Sequence, residues 1–203
     1  MDVVWANLSM ALVAAALAAS GMSAVVALLT DRWPALMRWS VFPLLGLSGL
    51  VSTAVALSML GGAQGFAAEA PLGLPWLHWQ LRLDPLGGFF LGVIGVVVTA
   101  VSLYGPGYVR EYRHRPYSLA ILGAATGLFV AGMQLVVLAN DVFSFMIAWE
   151  LMSVSSYFLV VYEHLDSANR RSAFLYLLMA QVGAGMILLA FACGQYTGVI
   201  SLL

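Results

Sequence analysis

The residue whose type and position most strongly suggest chemistry is Glu150, which lies inside an apolar run from Asp141 to Tyr162. A helix of about 22 residues spans about 33 Å, close to the thickness of the hydrocarbon core of a bilayer. Glu150 lies about 13–14 Å along that helix, near the midplane. A carboxylate there costs at least about 2.5–3.5 kcal/mol, and it indicates a proton or ion pathway by default. The alternative is a protonated side chain that only hydrogen-bonds a neighbouring helix.

Other polar side chains lie at depths from which they could join Glu150 in a hydrated path. Helical periodicity predicts that Ser153 and Tyr157 share its face, where their hydroxyls could bond the carboxyl or hold a water beside it. Gln181 lies about as deep in the following apolar run, and Gln134 lies nearer the outer end of the preceding one. For both glutamines the alternative is an interhelical hydrogen bond, typically worth about 0.6 kcal/mol.

The composition indicates that lipid is the solvent for most of the chain. Of its 203 residues, 63% are hydrophobic and only 8% are charged, more apolar surface than a soluble domain of this length can bury. We expect the bilayer as a partner and no nucleic acid. The single cysteine, Cys193, lies in an apolar run, and the three histidines are isolated from other ligand types. We therefore expect no metal site and no cofactor.

Apolar runs separated by charged or Gly/Pro-rich breaks predict an all-α, polytopic bundle of about six transmembrane helices. We interpret residues 1–203 as one membrane domain. The first run is too long for the core of a signal peptide and lacks a basic region before it, so we expect it to be retained. The predicted helices are approximately Val3–Leu29, Val41–Leu60, Leu86–Tyr108, Tyr117–Ala139, Asp141–Tyr162 and Ala173–Gly194.

The arginines predict the orientation of the bundle. The second connection contains Arg82, whereas seven arginines lie in the first, third and fifth connections. Cytoplasmic loops carry the excess of basic residues, so both termini are predicted on the non-cytoplasmic side. The seven are Arg32, Arg38, Arg110, Arg113, Arg115, Arg170 and Arg171.

The outer connection 61–83 is predicted to contain a short extended segment. Apolar and polar residues alternate from Leu77 to Leu83, with Trp76 and Trp79 expected at the headgroup level. The pair Asp84-Pro85 then predicts an N-cap and the first residue of the third helix. Small residues four apart permit close helix packing at Gly88, Gly92, Gly123 and Gly127.

Three segments carry a family resemblance. The stretch Asn140–Val160, with Trp149-Glu150 at its centre, resembles the glutamate-bearing helix of the antiporter-like membrane subunits. That superfamily includes proton-pumping subunits of respiratory complex I, Mrp-type Na⁺/H⁺ antiporters and energy-converting [NiFe] hydrogenases. Asp84–Phe90 resembles the start of the family's third helix. Ala168–Tyr176 is most similar to hydrogenase-4 component B and the corresponding formate hydrogenlyase subunit.

The resemblance implies that Glu150 is a proton-translocation residue coupled to a lysine on a later, broken helix. It also implies a subunit of roughly fourteen helices built around two inverted repeats. The chain matches only the N-terminal part, so we expect a fragment, a truncated product or a split subunit. Many complex I relatives carry a lysine early in the sixth helix, near Phe174 of this sequence, and its absence favours the hydrogenase-type branch.

The leading interpretation is a proton-translocating subunit of a redox-driven complex in a bacterial or archaeal inner membrane. Because no motif for an Fe–S cluster, flavin or quinone chemistry is present, we expect the redox chemistry in other membrane and peripheral subunits. Two alternatives stay open. One is an Mrp-type cation/proton antiporter subunit, and the other is a structural module in which Glu150 stays protonated.

Overall fold

The computed structural model describes residues 2–63, 65–74, 77–111 and 117–196. Within these ranges, six helices are long and apolar enough to cross a membrane. The predicted polytopic helix bundle is therefore confirmed. The elements are α1 (Asp2–Leu29), α2 (Pro34–Leu60), β1 (Phe66–Leu74), β2 (Leu77–Leu83), α3 (Pro85–Glu111), α4 (Leu119–Leu138), α5 (Val142–Val160) and α6 (Ser167–Tyr196).

The helices alternate in direction, so alternate connections meet at the same end of the bundle. The hydroxyl of Ser118, before α4, donates to Asp31, after α1. At the opposite end, the amide of Asn140 donates to the Gln80 carbonyl in β2. We call these the arginine end and the hairpin end. Arg113, His114 and Arg115 lie outside the described residues.

The packing order is α3, α2, α1, α4, α5, α6, which leaves α6 at the edge. Half of the apolar window of α4 is buried, whereas only 6% of that of α6 is buried. Most of the surface of α6 is therefore available to lipid or to another protein element.

Two helices begin earlier than their apolar runs. The second starts at Pro34 rather than Val41, with proline in the first turn, where its missing N–H costs nothing. The sixth starts at Ser167 rather than Ala173, after Asp166, whose carboxylate accepts from the amide of Ala168. In both helices arginines lie between the true start and the uninterrupted apolar run, which is why the apolar run alone predicts a later start.

The predicted extended segment is half of an antiparallel hairpin. β1 pairs with β2 from Phe66 opposite Leu83, with an irregularity between Ala70 and Gly73. The Trp79 side chain is half-buried, and Trp76 lies outside the described residues. At the end of β2, the carboxylate of Asp84 accepts from the amide of Gly87 at 2.6 Å, and α3 begins at Pro85 as predicted.

The core has two apolar layers with a polar layer between them. Towards the arginine end, Met37 and Val41 belong to one buried cluster; towards the hairpin end, Met59 and Leu138 belong to the other. Between the clusters, four side chains that are at most 1% exposed come from α1, α2 and α4. They are Ser20, Ser48, Ser52 and Gln134.

The glycines four apart mark close helix contacts, as the sequence predicts. A Cβ at Gly92 would lie 2.7 Å from the Cβ of Ala56, and one at Gly127 would lie 2.8 Å from two backbone atoms of α1. Such distances leave no space for a methyl group, because backbone cannot move aside as a flexible side chain can. The pairs α2–α3 and α1–α4 thus depend on glycine where they approach.

Gly127→Ala is expected to lower the free energy of unfolding by about 1–3 kcal/mol, the usual cost of overpacking. The matched control is Gly183→Ala on α6, where an added Cβ meets nothing within 4 Å. There, helix propensity alone should raise stability by about 0.5–1 kcal/mol. Unfolding titrations in mixed micelles give both values. Equal effects of the two substitutions would contradict this packing account.

Candidate functional site

The helix that carries Glu150 is fixed at its hairpin end by Asp141. One carboxylate oxygen accepts from the backbone amide of Ser144 at 2.8 Å, which caps α5. The other accepts from the backbone amide of Gln80 at 3.1 Å, and Leu81 forms a β-bridge with Ala139. One side chain therefore ties the start of α5 to the β1–β2 hairpin.

Along its length, α5 packs on one side against α4 and on the other against α6. A Cβ at Gly132 of α4 would lie 2.9 Å from the backbone amide of Met152, so these two helices approach closely next to Glu150. On the other side, the Phe145 ring stacks on Trp149 and meets Phe191 of α6 edge-on at 5.7 Å. These aromatic rings close the space between α5 and α6 on the hairpin side of Glu150.

Glu150 and Gln181 are in direct contact. The Gln181 amide Nε2 donates to Oε2 of Glu150 at 2.9 Å, joining α5 to α6. Glu150 is half-buried and Gln181 is exposed. Gln181 also lines an open groove on α6 of about 400 Å³ with Phe174, Leu177, Leu178 and Val182. The carboxyl therefore has one amide partner and lies beside an open surface rather than deep in the bundle.

Among the residues that the structure describes, the two hydroxyls predicted to lie beside Glu150 do not bond its carboxyl. Ser153 is 4% exposed, and Tyr157 is half-buried with its ring against Phe158. Within the described ranges, neither hydroxyl forms a hydrogen bond with Glu150. α5 and α6 share a second polar contact, which the sequence did not predict: the Ser156 hydroxyl pairs with the Tyr176 hydroxyl at 2.6 Å. The signal that could have predicted this contact is a hydroxyl-bearing residue in each of two consecutive apolar runs.

Gln134 lies in the polar layer of the core, where its amide satisfies three serines. Its Nε2 donates to the hydroxyls of Ser48 at 2.9 Å and Ser52 at 3.0 Å, and its Oε1 accepts from Ser20 at 3.1 Å. This geometry matches the interhelical contact that the sequence left open as the alternative for Gln134. Participation of Gln134, Ser153 or Tyr157 in a proton path stays a prediction.

At the arginine end, an aromatic cluster follows α5. The Tyr117 ring lies 5.5 Å from that of Tyr162 and 5.6 Å from that of His164. Burial raises the pKa of Tyr162 to about 12, so its phenol is neutral at physiological pH. Within the described ranges, no three His, Cys, Asp or Glu side chains are grouped as metal ligands would be.

The glutamate helix coincides with a known family segment. Residues 139–202 match the model described as NADH:quinone oxidoreductase/Mrp antiporter, TM. Hydrogenase-4 component B of Escherichia coli (strain K12) is 34% identical over 111 residues, which are 55% of this chain and 16% of that protein. Over this segment the chain is similar to the antiporter-like membrane subunits. The prediction from the Trp149-Glu150 segment is confirmed.

Two further proteins are similar to a longer part of this chain. An uncharacterized protein of Mycobacterium tuberculosis is 38% identical over 127 residues, 60% of this chain and 19% of that protein. A chain of the Mrp complex from Dietzia sp. DQ12-45-1b superposes with a TM-score of 0.65 at 26% identity, over 92% of this chain and 20% of that chain. This antiporter-like chain thus spans about a fifth of the length of the curated relatives it matches, and it is a multi-pass protein of a prokaryotic membrane.

Proposed function

We propose that this antiporter-like chain translocates protons as part of a redox-driven membrane complex of the hydrogenase-4, formate hydrogenlyase or complex I type, with Glu150 as the proton carrier. The single observation that supports it most is the 2.9 Å bond between Gln181 and Glu150 at the α5–α6 boundary. Similarity to hydrogenase-4 component B supports the type of complex.

A carboxyl at membrane depth suits this task because its neutral and ionised forms are separated by one proton. In α5, Glu150 has a single neutral hydrogen-bond donor and no Arg, Lys or His of its own helix nearby. Its charge is therefore not permanently compensated within α5. A cation brought to the open side of α6 would favour release of the proton, and its removal would favour uptake. The family resemblance implies that a lysine of a later helix has this role.

Gln181 is proposed as a positioning residue for that carboxyl. Its amide holds one carboxyl oxygen and leaves the other to accept or donate a proton. The groove beside Gln181 is the proposed place for a water chain once another element covers α6. Ser153, Tyr157 and Gln134 remain proposed contributors to the path. Both termini are proposed to lie outside the cytoplasm, with the redox chemistry in partner subunits.

Gln181→Leu is expected to slow proton movement by roughly tenfold or more, because a hydrogen bond to a charged group is worth about 1.5–3 kcal/mol. Stability should change by only about 0.6 kcal/mol, the average for one interhelical bond in a membrane. The control is Asn169→Leu, which also replaces an amide side chain by leucine but lies nearer the start of α6. The pH change in vesicles after electron donor and acceptor are added, and unfolding titrations, provide the two readouts. A normal rate in Gln181→Leu would contradict the positioning role.

The second candidate is an Mrp-type cation/proton antiporter subunit, which the superposition on the Dietzia Mrp complex favours. The two functions differ in what drives the ion. We expect a pH gradient in vesicles only when electron donor and acceptor are added to the complex, irrespective of sodium. A pH gradient that requires sodium and no redox couple would refute the redox-driven proposal and establish the antiporter.

A further inference from the structure

A groove on the outer face of the α2–α3 pair is unrelated to Glu150. It has a volume of about 550 Å³ and runs along both helices on the arginine half of the bundle. Its walls include Leu47, Leu50 and Leu103, which are 53%, 58% and 80% exposed. The rest of its lining is Trp39, Phe42, Pro43, Gly46, Thr99, Ser102 and Pro106.

The sequence produces this groove by removing side-chain volume where the helices meet. At Gly46, an added Cβ would lie 2.8 Å from the Ser102 hydroxyl, so a larger residue on the groove floor would require that side chain to move. Pro43 and Pro106 lie inside their helices and both line the groove. A proline removes one backbone hydrogen bond and its ring prevents regular packing around it. The result is an open, mostly apolar groove rather than a sealed helix contact.

The arginine end of the groove is basic. Arg38 directly precedes Trp39, and Arg110 follows Pro106 by about one turn; both arginines line a small recess next to the groove. The guanidinium of Arg38 lies 5.4 Å from the centre of the Trp39 ring. Its Nε is buried and has no hydrogen-bond acceptor among the described residues. A buried donor without an acceptor is costly, and a guanidinium fork matches phosphate oxygens.

We propose that this groove binds an anionic phospholipid from the leaflet at the arginine end. The phosphate would lie against Arg38 and Arg110, and one acyl chain would lie along Leu47, Leu50 and Leu103. Arg38 of the recess is followed directly by Trp39 of the groove, so one molecule with a charged head and a hydrocarbon tail would satisfy both. Basic pockets between transmembrane helices are known to select anionic headgroups. A buried peptide helix would satisfy the leucines but leave the arginine donors without acceptors.

Native mass spectrometry of the purified chain in neutral detergent tests the proposal. Phosphatidylglycerol and phosphatidylcholine with identical acyl chains are added in equal amounts. We expect phosphatidylglycerol to be bound preferentially. Arg38→Gln and Arg110→Gln should each weaken that binding about fivefold, the effect of about 1 kcal/mol per basic residue. The matched control is Arg171→Gln, an arginine at the same end but away from the groove, which should leave binding unchanged.

Two further arms identify the occupant. Inorganic phosphate should not displace the lipid, because it lacks the acyl chain; displacement by phosphate alone would overturn the lipid assignment. A photoreactive amino acid at Leu103 should cross-link to lipid in native membranes, whereas a protein adduct there would overturn it. Equal binding of the two lipids, or equal effects of Arg38→Gln and Arg171→Gln, would also overturn it. Arg38→Lys should keep part of the preference, which separates loss of charge from loss of fold.

Discussion

Glu150→Gln is expected to abolish proton movement by the assembled complex while leaving its assembly intact. Glutamine has nearly the shape of the protonated acid and can still accept from the Gln181 amide, so the α5–α6 contact survives. It cannot release a proton. The substitution places no charge at membrane depth, so the variant should be at least as stable as the parent.

The control for Glu150→Gln is Glu69→Gln, the same change at an exposed carboxyl on the β1–β2 hairpin. It should leave both the rate and the assembly unchanged. Glu150→Asp should retain a reduced rate, because it keeps a titrating group but withdraws it from Gln181. Rates are measured as the initial pH change in vesicles after the electron donor is added. A normal rate in Glu150→Gln would refute the proposed role of this residue.

Gln134→Leu is expected to destabilise the bundle by about 2 kcal/mol or more. The substitution removes three interhelical hydrogen bonds, each worth about 0.6 kcal/mol on average. It also leaves the hydroxyls of Ser48 and Ser52 facing an apolar side chain in a site without exposure. Leucine has a similar volume, so a large cavity does not complicate the result.

The contrast between the two glutamines makes this prediction specific. Gln134 is 1% exposed and joins three helices, whereas Gln181 is exposed and joins two. Unfolding titrations of Gln134→Leu and Gln181→Leu should therefore give a large and a small change, in that order. If Gln134→Leu leaves the unfolding free energy unaltered but stops proton movement, the residue belongs to the path and the packing explanation fails.

The membrane elements were predictable because each apolar run is long and bounded by charge or by Gly and Pro. The starts of α2 and α6 were not, since arginines lie between each helix start and its apolar run: Arg38 in α2, and Arg170 and Arg171 in α6. The position of β1 was not predicted either, because its sequence contains both proline and glycine and lacks the alternation of β2. Pairing with β2, rather than local preference, makes that segment extended.

Within the candidate site, the sequence predicted how deep each polar side chain lies along its helix, but mostly not which side chains it contacts. The sequence places Gln181 and Glu150 at equal depth, and the two side chains do meet, because α5 and α6 are consecutive and antiparallel. The partners of Gln134 come from α1 and α2, over 80 residues away in the sequence, and depend on the packing order of the helices. Ser153 shares the helical face of Glu150 but is buried against a neighbour instead of lying beside the carboxyl.

The most direct test of the account is infrared difference spectroscopy of the complex in H₂O and in D₂O, with Glu150→Gln subtracted to isolate the Glu150 carboxyl. The account predicts a carboxyl band that shifts in D₂O and changes intensity during turnover, because the group exchanges its proton with a hydrated path. A band that neither shifts in D₂O nor responds to turnover would contradict proton transfer through Glu150.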